Sequence, residues 1–381
     1  MIKKYYLLSP GPTPVPEKVL AKAALPIIHH RSAEFSDAFM EMTEGMQYIF
    51  QTKNDVYTLT SSGTGAMETA IVNLLSPGDK IITINGGKFG ERWGQIARVY
   101  GIEVVEIIVD WGTALSLEKL EETLKANPDA KAVFTQLSET STGSVYDVKG
   151  YAEVVSKTDA ILVVDGISGL GAAKCPMDEW KINVLLTGSQ KSLMIPPGLA
   201  FISFDDKAWK LVESSTLPKY YFDMKKARKS LAKRTTPYTP AVSLVYQQAE
   251  AIKLIKEQTI EGILEHHAIL GKATREAVKA MGLELFSKVP GNILTSVKTP
   301  EGVDGKKLVK TMQSKYLAYI SGAQDPMKGK FFRIAHLGYM GAFDVITALT
   351  ALEMALLDEG YKLELGKGVA MAQKILREEW K

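Results

Sequence analysis

Cysteine is almost absent from this chain of 381 residues, whose one thiol is Cys175. A single cysteine excludes internal disulfide bonds, and it cannot supply the ligands of an iron–sulfur cluster or a nickel site. Such scarcity is typical of proteins in a reducing compartment. We therefore expect a cytoplasmic protein without a metal centre.

Long apolar runs and an excess of one charge are also missing. No apolar run approaches the ~18 residues that span a bilayer, and the stretch MIKKYYLLSPGPTP meets prolines before a signal-peptide core could form. The 46 basic and 43 acidic residues are spread along the chain and give a net charge of +3. Without a basic tail or stripe, we expect neither a nucleic acid nor a membrane as a partner.

Short apolar segments alternate with amphipathic ones between residues 55 and 205. The apolar segments are DVYTLT, KIITIN, VEIIVD, KAVFTQ, AILVVD, NVLLTG and LAFISF, and helical patterns lie between them at 64–76, 90–101, 116–126 and 147–158. Strands that are apolar throughout and separated by helices indicate a mostly parallel sheet covered on both faces. The prediction is an α/β fold with a three-layer αβα large domain.

The pattern changes after about residue 240. One long helical segment, 241–282, is followed by short strands near 283–298 and 331–336 and by helices at 305–315, 342–358 and 362–378. This order is typical of a smaller α+β domain. We divide the chain into an N-terminal arm (1–20), a large domain (21–257) and a small C-terminal domain (258–381).

Three groups that could take part in binding or catalysis follow predicted strands. The segment Ser62-Gly63-Thr64 opens a helix, where backbone N–H groups and the helix dipole favour a phosphate. Asp165 ends one apolar strand, where burial of a carboxylate is costly without a partner, and Lys191 follows the next strand. Each alone also fits an ordinary role as a glycine turn, a capping carboxylate or a solvated amine. Because ligands of parallel sheets collect at strand ends, the three together suit pyridoxal phosphate.

Eight stretches of the sequence resemble the class V aminotransferases of fold type I, which depend on pyridoxal phosphate. Within that family, the resemblance is to the alanine–glyoxylate, serine–pyruvate and serine–glyoxylate aminotransferases. The stretches occur in family order and span nearly the whole chain: SPGPTPVP (9–16), SSGTGAMETA (61–70), NGGKFGERW (85–93), SETSTG (138–143), LVVDGISGLG (162–171), TGSQKSLMIPPG (187–198), RTTPYTPAVSL (234–244) and FRIAHLG (332–338).

The resemblance implies that Lys191 forms a Schiff base with the cofactor and later moves a proton, and that Asp165 pairs with the pyridine nitrogen. It places Phe89 over the cofactor ring and either Thr140 or Ser141 beside the ring oxygen. The residues implied to contact the phosphate are Ser62, Gly63, Thr64, Gln190 and Thr236. Many family members carry histidine where this chain has threonine at the third of these positions.

The resemblance also implies a substrate site and a partner. Arg333 would grip the substrate α-carboxylate through its planar fork, and Gly11 would lie beside the substrate. Thr236 would reach the phosphate in the other subunit, which implies a homodimer. The implied reaction moves an amino group from alanine or serine to glyoxylate or pyruvate by ping-pong kinetics.

Several alternatives stay open at this stage. His30 and Arg31 could bind a second anionic group, as in a phosphoserine or aspartate aminotransferase, or they could lie in a solvated turn before a helix. A cysteine desulfurase shares most of these motifs, but Cys175 follows Asp165 too closely to be its mobile nucleophile. Some relatives have been labelled hydrogenase subunits, yet no G-x-G-x-x-G motif follows the first strand to support an oxidoreductase.

Overall fold

The computed structural model describes residues 3–379, and its strands are numbered in chain order. They are β1 (Tyr6–Leu7), β2 (Val56–Leu59), β3 (Lys80–Asn85), β4 (Glu103–Ile108), β5 (Ala132–Gln136), β6 (Ser138–Glu139), β7 (Ser144–Val145), β8 (Ile161–Asp165), β9 (Val184–Gly188), β10 (Ala200–Phe204), β11 (Leu294–Lys298), β12 (Ala318–Tyr319), β13 (Ser321–Gly322) and β14 (Phe331–Ala335).

The helices of the same residues are also numbered in chain order. They are α1 (Glu17–Ala21), α2 (Ala33–Phe50), α3 (Gly63–Leu74), α4 (Lys88–Val99), α5 (Leu117–Ala126), α6 (Val148–Val155), α7 (Asp206–Ser214), α8 (Met224–Leu231), α9 (Val242–Gln258), α10 (Ile260–Ala280), α11 (Gly305–Ser314), α12 (Ala342–Asp358) and α13 (Lys367–Glu379), with a 3-10 turn at Lys22–Ala24. Among residues 3–379, no helix combines the length and apolar character needed to cross a bilayer.

A seven-stranded sheet forms the centre of the larger part of the molecule. Its order is β2-β10-β9-β8-β5-β3-β4, and β10 alone runs antiparallel to its neighbours. The predicted α/β class and mostly parallel sheet are confirmed. The antiparallel direction of β10 was not predicted. It has a physical cause, since residues 189–199 between β9 and β10 contain no helix and a parallel return needs a longer crossover.

The helical prediction for 241–282 is wrong at one position. The chain forms two helices, α9 and α10, which meet at Thr259. Thr259 has a φ of 62°, in the left-handed region, and its side chain accepts a hydrogen bond from Gly262 N as the cap of α10. A β-branched residue in this conformation ends one helix and begins the next. Helices α1, α2, α7 and α8 lie outside the predicted set.

The apolar core falls into two clusters of buried side chains. The first surrounds the seven-stranded sheet and runs from Val19 to Ile263. The second runs from Leu270 to Leu376 and surrounds the sheet β11-β14-β13, but it also includes Leu8. The N-terminal segment therefore reaches across to the second cluster, where β1 pairs with β12. The domain boundaries stay a prediction. Residues 1–2 of the predicted arm and residues 380–381 of the predicted small domain lie outside the described residues.

Candidate active site

The carboxyl ends of neighbouring strands bring the predicted polar groups to one edge of the sheet. Asp165 is the last residue of β8 and pairs in register with Gln136 of β5 and Leu186 of β9. Lys191 follows β9 by three residues, in a turn rather than in the strand. The charges of Asp165 and Arg333 both act on the Lys191 amine, so the structure brings these three groups together although they lie far apart in sequence.

Lys191 is buried, and its amine is more acidic than that of an ordinary lysine. Its Nζ donates a hydrogen bond to the Pro10 carbonyl oxygen at 2.6 Å. Burial lowers the pKa of Lys191 to about 8; the Arg333 and Arg92 charges add to this effect, and Asp165 opposes it. A larger share of the amine is therefore free near neutral pH, which is the form that attacks a carbonyl carbon.

The N-terminal segment packs directly on the lysine turn. Thr13 N donates to the Gln190 carbonyl at 3.1 Å, and Thr13 Oγ1 donates to the Lys191 carbonyl at 2.9 Å. Gly11 lies against the lysine side chain with a φ of +148°, and a Cβ at this position would overlap Nζ. Glycine is thus required here for both backbone conformation and space. The predicted contact of Gly11 with substrate stays a prediction.

Asp165 is a buried carboxyl group with one hydrogen bond to the chain. Its Oδ1 accepts from Ile167 N at 2.7 Å. Burial raises the pKa of Asp165 to about 7, against the opposing effect of that hydrogen bond; Glu139 raises it further, and Arg92 and Lys191 lower it. A cation placed against Asp165 would restore its ionised form. The pyridinium nitrogen of the implied cofactor fits this environment.

The segment Ser62-Gly63-Thr64 begins helix α3 and leaves its N-terminus open. Ser62 is the N-cap residue, and among residues 3–379 its side chain makes no capping hydrogen bond. A Cβ at Gly63 would overlap Ile167, so the segment lies close against the loop that follows Asp165. Backbone N–H groups at an open helix N-terminus favour a phosphate.

Two further polar side chains border this open N-terminus. Arg92 Nη1 donates to Thr64 Oγ1 at 3.1 Å, which brings a positive charge to the predicted phosphate position. Gln190 Oε1 is buried and has no hydrogen-bond partner within the described residues. An amide oxygen only accepts hydrogen bonds, so a phosphate would not satisfy this atom. Toward a phosphate, Gln190 could offer only its Nε2 N–H groups.

Phe89 and the loop after β5 form another wall of the site. The guanidinium of Arg92 lies 4.9 Å from the centre of the Phe89 ring, which is half-buried in the first turn of α4. Thr140 Oγ1 donates to Ser168 Oγ at 2.5 Å, whereas Ser141 Oγ donates to Glu139 at 2.5 Å. Both hydroxyl groups already have an acceptor, so the choice between Thr140 and Ser141 stays open.

Arg333 lies in the centre of β14 and is buried. Its Nη1 donates to the Thr140 carbonyl and its Nη2 to the Gly322 carbonyl, each at 2.8 Å. Its Nε has no hydrogen-bond partner among residues 3–379. Burial lowers the pKa of Arg333 to about 10, and the Glu139 charge opposes this effect. A buried guanidinium bonded to carbonyls and with an unused N–H is suited to a carboxylate ligand.

Thr236 is buried, and Arg31 holds its segment within the same chain. Arg31 Nη1 donates to Thr235 Oγ1 at 2.6 Å and to the Thr236 carbonyl at 2.7 Å. Thr236 Oγ1 in turn donates to the Tyr238 carbonyl at 2.7 Å. The Arg31 guanidinium is therefore engaged with the chain itself. The contact of Thr236 with a partner subunit stays a prediction.

Three residues near the site were not singled out from the sequence. Pro10, Arg92 and Glu139 all lie in stretches that carry the family resemblance, but their roles depend on distant contacts. Arg92 could have been noticed as a charged residue three positions after Phe89, on the same face of a predicted helix. The carbonyl of Pro10 leaves no signal in the sequence.

Comparisons with known proteins agree with this geometry. The model of the family described as aminotransferase class-V matches residues 5–324. A protein named soluble hydrogenase, small subunit, from Synechococcus sp. is 41% identical over 99% of both chains, and a serine–glyoxylate aminotransferase from Methylorubrum extorquens is 35% identical over 98% of this chain and 96% of its own. The crystal structure of ureidoglycine–glyoxylate aminotransferase from Bacillus subtilis superposes with a TM-score of 0.95 and 27% identity over 99% of both chains. The chain belongs to the class V aminotransferases, pyridoxal-phosphate enzymes of fold type I.

Proposed function

We propose that this aminotransferase moves the amino group of alanine or serine to glyoxylate or pyruvate. The observation that carries the proposal is the proximity of Lys191, which follows β9 and has a lowered pKa, to the buried Arg333 of β14 in the three-stranded sheet. All four compounds have an α-carboxylate that Arg333 could bind and a small side chain. Two of the similar proteins have glyoxylate in their names, which supports it as the acceptor.

The residues present fit pyridoxal phosphate. This cofactor supplies an aldehyde that condenses with amines and a ring that withdraws electrons from the substrate Cα. Lys191 would hold the aldehyde as a Schiff base, and Asp165 would hold the ring nitrogen protonated. The open N-terminus of α3, the Nε2 N–H groups of Gln190 and Arg92 would hold the phosphate, since each supplies hydrogen-bond donors.

In this proposal the protein's own groups orient the substrate and move one proton. Arg333 binds the α-carboxylate, which fixes the substrate Cα relative to Lys191. Once the substrate amine has replaced it, Lys191 Nζ accepts the proton that leaves Cα, and a pKa near 8 suits that task at neutral pH. Water supplies the carbonyl oxygen when the amino acid leaves as its 2-oxo acid, and the amino group would stay on the cofactor. A second 2-oxo acid would then take up the amino group and release water, which gives ping-pong kinetics.

Two alternatives lose support in the structure. A substrate with a second anionic group would need His30 or Arg31. Arg31 is exposed, in contrast to the buried Arg333, and its Nη1 is already bonded to Thr235 and Thr236. A cysteine desulfurase needs a reactive thiolate, but Cys175 is buried and burial raises the pKa of its thiol to about 12. That one thiol also cannot supply the ligands of an iron–sulfur or nickel centre.

One observation each supports the proposed assembly and the proposed compartment. We infer a homodimer in which Thr236 reaches the phosphate of the partner's site, and the support for it is the likeness of the segment RTTPYTP (234–240) to the family pattern. The single buried thiol supports a reducing compartment, and we propose the cytoplasm. A monomer seen by light scattering in a fully active sample would contradict the dimer.

The direct test of the function is a panel of donors and acceptors. We expect visible absorbance in the purified protein, a spectral change on adding alanine or serine, and reversal on adding glyoxylate or pyruvate. The kcat/KM values should be highest for these pairs and lower for phosphoserine and aspartate. If no amino acid changes the spectrum of the coloured protein, the proposed function is wrong.

Replacement of Asp165 by Asn should weaken cofactor binding and slow the proton-transfer step. Asn keeps an oxygen that can accept from Ile167 N but removes the negative charge that faces the pyridinium. An anion and a cation ~4 Å apart interact by about 4 kcal/mol at an effective dielectric of ~20. Cofactor titration of the apoprotein and a substrate deuterated at Cα measure the two effects. If Asp165→Asn keeps both parent values, Asp165 is only a turn residue.

A further inference from the structure

Glu139 is a buried carboxylate beside the candidate site that none of the proposed chemical steps uses. It is the last residue of the short strand β6, which follows β5, and it accepts hydrogen bonds from two sides of the site. Oε2 accepts from Gly90 N at 2.9 Å, Phe89 N at 3.2 Å and Gln136 Nε2 at 2.9 Å. Oε1 accepts from Ser141 N at 3.1 Å and Ser141 Oγ at 2.5 Å. The donors are four N–H groups and one hydroxyl.

These contacts explain how a carboxylate can be buried there. Helix α4 begins after Gly87, which has no side chain to cap it, so Glu139 supplies the acceptor for the first turn from another segment. The positive end of the helix dipole also favours the negative charge of Glu139. The fit is close, because a Cβ at Gly87 would overlap Ser141 Oγ and lie 2.6 Å from the Glu139 side chain.

The two segments that meet at Glu139 carry different parts of the site. The α4 segment carries Phe89, which the family resemblance places over the cofactor ring. The loop segment carries Thr140, whose carbonyl accepts from Arg333 Nη1 at 2.8 Å. Displacement of the Glu139 carboxylate would therefore change the position of Phe89 relative to Arg333.

We propose that Glu139 is a positioning residue that fixes the aromatic wall of the cofactor site relative to the arginine that binds the substrate carboxylate. This inference rests on the proposed function, since it assumes a cofactor beside Phe89 and a carboxylate at Arg333. Glu139 touches neither reacting group. Its effect passes through Phe89 N, Gly90 N and the loop at 139–141.

The test is Glu139→Gln. Gln has nearly the same shape, but its amide nitrogen would face N–H donors in place of one carboxylate oxygen, and at least one buried donor would lose its partner. A buried unsatisfied donor costs about 1–3 kcal/mol, and 1.4 kcal/mol corresponds to a factor of ten. Apoprotein carrying Glu139→Gln should therefore bind pyridoxal phosphate more weakly, by a factor of about five to more than a hundred. The circular dichroism of the bound cofactor should change, and the KM for both substrates should rise.

The chain offers a matched control in Glu353. It is also buried, and it accepts from Gly366 N and Gly368 N, each at 2.7 Å, at the start of α13 in the second apolar cluster. Glu353→Gln should lower the Tm as Glu139→Gln does, but leave cofactor affinity, circular dichroism and both KM values at parent values. If Glu139→Gln changes only the Tm, its role is structural and the proposal is overturned.

A second variant keeps the proposal testable if Glu139→Gln does not fold. Gln136→Met removes one donor to Glu139 but keeps the carboxylate and the approximate side-chain volume. It should change the cofactor circular dichroism and both KM values in the same direction, by a smaller factor. Unchanged values in folded Gln136→Met protein overturn the proposal. Failure of the proposed function would be seen separately, in parent protein that does not respond to amino acids.

Discussion

Lys191→Ala should abolish transamination in a protein that still folds and still binds the cofactor without a covalent link. The substitution removes the amine that would hold the cofactor aldehyde and also the group that would accept the proton from the substrate Cα. General acid–base catalysis alone contributes roughly 10²–10⁴-fold, so the loss of kcat should be at least about 1,000-fold. Single-turnover absorbance measurements with alanine would quantify it.

Lys219→Ala is a suitable control for that experiment. Lys219 is half-buried, and burial lowers its pKa as it lowers that of Lys191. Its Nζ donates to Ser215 and to the Leu217 carbonyl, outside the candidate site. Its removal should leave kcat near the parent value. If Lys191→Ala protein keeps more than about a tenth of parent turnover, Lys191 is not the reacting amine.

The lowered pKa of Lys191 predicts that the rate of cofactor binding to the parent apoprotein depends on pH. The pKa of Lys191 is lowered to about 8, so the free amine is a minor form below pH 8 and the major form above it. The rate at which apoprotein combines with pyridoxal phosphate should therefore rise with pH and level off above about 8. A rate that keeps rising toward pH 10 would mean that burial does not perturb Lys191 in solution.

Arg333→Ala should reduce kcat/KM for every donor and acceptor, since all of them share an α-carboxylate. A hydrogen bond to a charged group contributes about 1.5–3 kcal/mol, which corresponds to a factor of about ten to more than a hundred. Arg333→Lys keeps a positive charge but loses the planar fork, so it should recover only part of the loss. Steady-state kinetics with alanine, serine, glyoxylate and pyruvate provide the comparison.

Arg275→Lys controls for the cost of changing a buried arginine. Arg275 is also partly buried and donates to the Gly291 carbonyl at 2.9 Å, but it lies against the second apolar cluster. Arg275→Lys should lower the stability of the protein without reducing kcat/KM for all of the substrates together. If Arg31→Ala abolishes alanine turnover while Arg333→Ala spares it, the carboxylate site has been assigned to the wrong arginine.

The local hydrophobic pattern of the sequence was sufficient to predict the sheet and the polar residues that directly follow its strands. Asp165 and Lys191 could be placed at one edge because β8 and β9 are apolar strands and because the segment between them is long enough for a parallel crossover. The direction of β10 could not be predicted in the same way. An apolar strand has the same pattern in either direction. Only the short connection of residues 189–199 marks the difference, since residues 166–183 between the parallel strands β8 and β9 also contain no helix.

Contacts between distant segments account for what sequence pattern could not predict. Glu139 lies in a stretch of small polar residues, and its role depends on a contact with the start of α4, some fifty residues earlier in the sequence. The role of Arg31 was open because Thr235 and Thr236 lie about two hundred residues away. Side-chain partners at such separations are set by how helices and loops pack, which hydrophobic periodicity does not encode.

The bond between Lys191 Nζ and the Pro10 carbonyl has a consequence for folding. It joins residues 181 positions apart, and the bond from Arg333 to Thr140 joins residues 193 positions apart. Contacts of such high sequence separation form slowly, because closing the intervening loop costs conformational entropy before the contact can offset it. Helices and strand pairs that are close in sequence, such as β3–β4 and β9–β10, can therefore form while the lysine is still an ordinary exposed amine. Recovery of cofactor colour during refolding would then follow the docking of the chain's distant segments, and it would lag behind the recovery of secondary structure.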